Sequence, residues 1–255
     1  MFNMSLTSEQ LEFQAMLCDF VTSEIKSESI KPSRLEPFDK PLMEDLLNQT
    51  SELGLRSISL SEEAGGVGAD LMTSCIILEE LSVGDVDIAI TLSQTALLAG
   101  LLFDSWMTKE QHDLYISNFL SDTTFHLAYV GHDPDTLAGW NYHTTIREEH
   151  IGSPFATKLD ENLIINGAVN FVTNAPIASL FIVPVSFEGK MTSLLIPKDI
   201  AGLKIYPAIK TTGKEQNRWH HGTMSRVEFT NCYVPIGDCL KNNDNGRDFS
   251  TRNII

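Results

Sequence analysis

Basic residues are scarce in this chain. Only 18 lysines and arginines stand against 34 aspartates and glutamates, a formal net charge of −16. A phosphate backbone demands a basic face, so this balance argues against nucleic acid as a partner. It argues equally against docking to an anionic membrane surface. Cysteines are few as well: Cys18, Cys75, Cys232 and Cys239 are scattered, with no CxxC spacing. They read as reduced thiols of a cytoplasmic protein, not as a disulfide framework. Residues 1–17 lack a basic segment and carry Glu9 and Glu12, so no secretory signal is expected. The most apolar run, 88–103, is interrupted by Ser93 and Gln94 and reads as a buried helix, too short and polar for a membrane span.

Several catalytic signatures are also wanting. There is no HExxH helix, and His220 and His221 are adjacent while His126, His132, His143 and His150 are dispersed, so no metal site is expected. No Gly-x-Ser-x-Gly elbow supports a serine hydrolase. The run Gly65-Gly66-Val67-Gly68 follows no strand and carries no Lys-Ser/Thr, so it reads as a tight turn and not as a phosphate loop.

What is present suits a soluble globular fold: 255 residues, 42% hydrophobic and 20% charged. Thr7-Ser8-Glu9-Gln10 has capping-box form and opens a helix with Leu11, Ala15, Cys18, Val21 and Ile25 at helical spacing. Pro41 suits a second helix start and Gly54 its stop. A third helix is expected over 71–82, ended by Gly84, and a fourth over 88–103. Thr108-Lys109-Glu110-Gln111 is another capping box, opening a fifth helix that runs to about Leu120. After Ser121 short β-prone runs take over, at 125–130, 163–166, 180–185, 192–196, 203–205 and 225–229. Turn residues such as Asp160-Glu161-Asn162 and Glu188-Gly189-Lys190 separate them. The expected fold is therefore α+β: an all-helical N-terminal domain over 1–121, then a small β-sandwich or barrel over 122–240. Residues 241–255 read as a tail or as the start of a further helical domain.

The segment Ile164-Ile165-Asn166-Gly167-Ala168-Val169-Asn170-Phe171-Val172-Thr173-Asn174-Ala175 resembles the flavin-facing strand region of acyl-CoA dehydrogenases. Leu194-Leu195-Ile196-Pro197-Lys198-Asp199, Ala201-Gly202-Leu203 and Val227-Glu228-Phe229 with Val234-Pro235 follow in that family's usual order. The resemblance covers roughly 6–240. It implies FAD as cofactor and α,β-desaturation of an acyl thioester as reaction, on coenzyme A or an acyl carrier protein. It places Phe171 against the isoalloxazine ring and Thr173 as a donor near N5. It places a second cofactor contact where the strand ending at Val130 runs into His132. There the family's Thr-Glu-Pro-x-Ala-Gly-Ser-Asp pattern is altered: His132 stands for the threonine, Asp133 for the glutamate and Ala138 for the serine, and Asp133 and Asp135 put two like charges on the pyrophosphate side.

The family's catalytic glutamate belongs to a C-terminal helical domain that would lie beyond Ile255, so no catalytic base is expected among these residues. The acids weighed for that role are Asp133, Asp135 and Glu228. The resemblance thus implies a second acyl-CoA dehydrogenase-like subunit that supplies the base, and an electron acceptor such as an electron-transfer flavoprotein. The apolar run 88–103 is expected to need cover from such a partner. Two other readings stay open: a non-catalytic structural or regulatory homologue that has lost flavin, and half of a related flavin oxidase or monooxygenase.

Overall fold

The computed structural model describes residues 5–31, 42–131, 154–207 and 223–240. Helices fill the first part and a mixed sheet the second, so the fold is α+β. The described residues form two compact units, one reaching Gly100 and the other made of Leu101–Ile209 and Met224 onward. The division falls within a helix, ahead of the change from helix to strand after Ser121.

In the first unit the local caps act as expected. Thr7 Oγ1 accepts the Gln10 amide at 3.1 Å, and Gln10 Oε1 accepts the Thr7 amide at 3.1 Å, opening α1 (Ser8–Phe20). Gln10 Nε2 also donates to Asp70, 3.4 Å away, and Asp70 itself caps α4 (Leu71–Gly84) by accepting the Thr73 amide at 2.8 Å. The two helix starts are thereby tied together. A π-helical turn, Val21–Ile25, carries α1 into α2 (Lys26–Ser29). Here α4 comes close enough that a Cβ on Gly84 would lie 2.8 Å from Val21 Cγ1 and 2.9 Å from Ile25 Cγ2, so only glycine fits. The next helix, α3 (Glu44–Glu52), ends at Gly54 in the left-handed conformation.

Asp85 Oδ1 accepts the amides of Asp87 and Ile88 and starts α5 (Val86–Leu101), which continues through a π-helical turn, Leu102–Trp106. The combined helix of 21 residues is long and apolar enough to cross a membrane by length and composition, which corrects the shorter span read from the sequence. Its apolar side chains are largely covered: Ile88, Ala89, Leu92, Leu98, Ala99 and Leu102 are buried, and Leu97 is the large apolar exception at 47% exposed. The expected open face on this helix is therefore mostly closed, because its apolar residues pack within the chain.

In the second unit the π-helical turn is followed by α6 (Lys109–Ser121), with its own capping box between Thr108 and Gln111. Phe119 is buried between Phe103 and Phe125, with ring centroids 5.0 and 5.9 Å apart, and so seats α6 against the start of the sheet. Among the described residues seven strands follow: β1 (His126–Tyr129), β2 (Phe155–Leu159), β3 (Asn162–Thr173), β4 (Ala178–Phe187), β5 (Lys190–Pro197), β6 (Leu203–Ile205) and β7 (Met224–Pro235). One edge of β4 pairs with β5; the other pairs in parallel with β1 and then β2. Antiparallel pairing continues from β2 to β3, β7 and β6. Past β7 the chain makes a short turn, and Cys239 bridges to Leu194 on β5. The pairing thus returns to its start, and the sheet curls around a core that includes Ala128, Val169, Phe181, Val183, Ile196 and Phe229.

Two turns follow their residues. Glu188 and Gly189 both have positive φ between β4 and β5, as a tight two-residue hairpin requires. Gly202, at φ +92, leaves room for Thr230 O, which would stand 2.6 Å from a Cβ there. One strand escaped the sequence reading. In β2 only Ala156 is buried, whereas the large residues Phe155 and Leu159 are exposed, so no apolar alternation marks it.

Gln111 is the joint between α6 and the closing turn. It is buried, and its Nε2 donates to Gly237 O at 2.8 Å and Cys239 O at 2.9 Å. Gln111→Ala strips these carbonyls of their donor and removes half of the capping box. The expected loss of stability is about 1–3 kcal/mol, read from denaturant unfolding followed by circular dichroism.

Candidate functional site

The pairing of β3 with β7 is interrupted twice. Near one end Ile165 and Gly167 face Cys232 and Phe229, which leaves an extra residue on β7. Asn231 sits there with φ +47, and its amide donates to Asn166 Oδ1 at 2.9 Å. Asparagine tolerates that conformation well. Further along, Val169 faces Val227 and Val172 faces Ser225, so the extra residue is on β3. Asn170 and Phe171 together oppose Arg226. Phe171 has φ +58, a conformation that costs a bulky residue about 1–3 kcal/mol and persists only where surrounding structure enforces it. A bulge of this kind re-aims side chains and recurs beside functional sites.

The enforcement is visible on both sides. Val169 and Val172 are anchored in the core, while Asn170, Phe171 and Thr173 remain partly exposed. Asn174, fully buried with φ +63, donates through Nδ2 to Leu127 O at 3.3 Å and accepts the amides of Ile177 and Ala178 at 3.0 and 2.9 Å. This ties the end of β3 to β1. The structure therefore places Phe171 and Thr173 together, flanking a buried valine at the end of one strand. Val130 takes a different place: it is buried in the core, and its amide donates to Ile182 O at 2.9 Å. His132, Asp133, Asp135 and Ala138 lie outside the described residues.

A polar network that the motif reading passed over lies beside the bulge. Arg226 Nη1 donates to Asn170 Oδ1 at 3.2 Å, and its Nη2 donates to Glu228 Oε2 at 3.2 Å. Tyr206 donates its hydroxyl to the same carboxylate oxygen at 2.8 Å. Lys204 Nζ lies 4.3 Å from the centre of the Tyr206 ring. The Tyr206 hydroxyl, then the Arg226 guanidinium, hold the Glu228 carboxyl below its usual range, with Lys204 contributing in the same direction. Cys232 behaves oppositely: burial pushes its thiol up to about 11 and leaves it inert. One sequence signal did point to the bulge. The core positions Val169 and Val172 are three apart, a spacing that simple strand alternation does not produce.

Residues 7–123 match the family described as Acyl-CoA dehydrogenase, N-terminal domain. The mitochondrial isobutyryl-CoA dehydrogenase of Dictyostelium discoideum is 25% identical over 245 residues, covering 93% of this chain and 54% of that protein. The butyryl-CoA dehydrogenase of Megasphaera elsdenii superposes with a TM-score of 0.75 at 22% identity, over 94% of this chain and 60% of that one. The FAD complex of PigA superposes at 0.76 with 18% identity, over 96% of this chain and 61% of that one. Over residues 7–123 the chain is similar to the acyl-CoA dehydrogenase N-terminal domain, and over most of its length it shares the fold of the N-terminal and middle portions of these enzymes. It spans little more than half the length of the relatives it matches.

Acyl-CoA dehydrogenases use FAD, and the end of β3 fits such a group in one respect and is silent in another. A strained, partly exposed phenylalanine with a threonine two residues on offers a flat apolar surface beside a hydroxyl donor. Val130 offers no open side chain, because the core holds it.

The Glu228 shift gives a measurable consequence. A carboxyl lowered on folding stabilises the fold above its ordinary range, and that contribution is lost as pH falls through the lower folded value. Tyr206→Phe removes the first cause of the shift. The Glu228 titration is then expected to move upward, toward the ordinary carboxylate range, as read by carboxyl NMR.

Proposed function

We propose that this chain is a subunit contributing to FAD-dependent α,β-desaturation of an acyl thioester, carried by coenzyme A or an acyl carrier protein. The observation that carries the reading is the bulge at Phe171, a non-glycine residue held at φ +58 with Thr173 beside it, within the segment that resembles the family's flavin-facing strand. Bound FAD would supply the hydride acceptor, at N5. Phe171 would pack against the ring and fix its plane. Thr173 would donate a hydrogen bond near N5, where charge builds as hydride arrives.

Removal of the α-proton needs a carboxylate within hydrogen-bond reach and with enough basicity to accept it. Glu228 is a weak base, because Tyr206 and Arg226 already hold its charge. We assign proton abstraction instead to a companion acyl-CoA dehydrogenase-like subunit, and removal of the electrons to an acceptor such as an electron-transfer flavoprotein, in a cytoplasmic assembly.

Two sets of measurements test this reading. In the assembled protein, Thr173→Val is expected to slow flavin reduction by about 2.7–4 kcal/mol in barrier, the cost of one preorganised donor. Phe171→Ala is expected to lower FAD retention by removing ring packing. Wild-type flavin content and rate in both variants would overturn the site. The isolated chain with excess FAD is expected to turn over no acyl-CoA, and to gain activity with its companion. Turnover by the isolated chain would put the base among its own acids. An assembly without flavin absorbance is the non-catalytic homologue, and oxygen consumption marks the oxidase.

A further inference from the structure

Phe171 is held in a conformation it would not choose, so something beside it must resist relaxation. The core fixes Val169 and Val172, but Asn170 and Phe171 lie between them on the partly exposed side. Their cross-strand partner is Arg226, two residues against one. Arg226 is itself fastened at three points: its carbonyl accepts the Tyr206 amide at 3.0 Å, one arm of its guanidinium meets Glu228, and its cation lies 5.8 Å from the Tyr206 ring. The remaining arm reaches Asn170 Oδ1.

Partly exposed ion pairs add little to global stability, and Arg226 and Glu228 are 41% and 32% exposed. The network's value is in geometry. A planar fork can hold two acceptors in fixed directions at once, which a lysine ammonium on a flexible stem cannot. We infer that Arg226 is a positioning residue: anchored by Glu228 and Tyr206, it grips Asn170 and thereby holds the Phe171 bulge in the shape that presents a flat ring surface. The inference rests on the flavin-facing role proposed for that bulge. Asn170 is the transmitting group, and Tyr206 sets the direction of the fork.

Hydrogen exchange of the full chain, read by mass spectrometry or NMR, tests the grip without any cofactor. Asn170→Ala and Arg226→Gln are each expected to speed exchange of the amides at 170–173 about tenfold, the effect of losing one hydrogen bond to a charged group, with β4 and β5 unchanged. The double variant is expected to exchange no faster than either single, since both act through one contact. Arg226→Lys is expected not to restore protection. Should Arg226→Gln fail to fold, Asn170→Asp and Asn170→Ala decide together: the aspartate keeps an acceptor for Arg226 and is expected to retain protection, and the alanine removes that acceptor and is expected to lose it. Unchanged exchange in Asn170→Ala, or additive effects in the double variant, overturns the inference. In an FAD-loaded assembly, Arg226→Lys is expected to shift the visible flavin bands while FAD is retained; faster exchange with unmoved bands would refute the link to the ring. An assembly that binds no FAD refutes the proposed function, and the exchange result still decides the grip.

Discussion

The antiparallel pairing of β3 with β7 is the constraint on which the second unit depends. It is built from two twelve-residue strands, the longest among the described residues, and β2 and β6 pair along its outer edges. From β7 the chain turns through Ile236–Asp238 and reaches β5, which closes the sheet on itself. Gln111 reads the same turn from α6 and fixes where the helix lies. Along the pair, the two extra residues fall on opposite strands, one on β7 and one on β3. Each bulge strengthens the local twist and bend, which a sheet needs in order to curl. The register between them is tightly specified, because a slip of one residue would turn Leu163, Ile165, Val227 and Phe229 out of the core.

The second bulge holds a strained, bulky residue at the edge of the core. Asparagine occupies the left-handed position on β7 at little cost, but phenylalanine occupies it on β3. Stability alone would favour glycine or asparagine there. A costly residue in a well-restrained place is the mark of a group kept for what it touches. Beside it lies a partly exposed polar network in which Lys204 and Arg226 are the cations of β3, β6 and β7, set around Tyr206 and Glu228 in an otherwise acidic chain. Their arrangement favours the charged form of Glu228 and so lowers its basicity.

Much of the helical unit was open to reading. Both capping boxes, at Thr7 and Thr108, and the glycine stop at Gly54 are local devices whose partners lie within four residues, and they stand in the structure where the residues indicated. Short β-prone runs located six strands, and turn residues marked the tight turn at Glu188-Gly189. No such run marked β2, whose large apolar side chains face outward, and the runs at 163–166 and 225–229 fell short of β3 and β7, which continue through their bulges. The apolar helix after Asp85 ran further than its composition suggested, since a π-helical turn carries it past Leu101 to Trp106. Phe171 and Thr173 were singled out through a family resemblance, and the structure sets them on either side of buried Val172; Val130 lies in the core.

What the sequence alone determined is what short-range pattern encodes: the helices with their caps, the order of helices before strands, the α+β class, and a segment similar to a flavin-facing strand. Those depend on residues a few positions apart, so the chain carries them in plain order. Only the tertiary structure decided that Arg226 opposes both Asn170 and Phe171, that Phe171 is held at positive φ, and that Tyr206 and Arg226 converge on Glu228. These are matters of register between distant strands. An extra residue in one of them changes which side chains meet, and a local pattern does not reveal its partner.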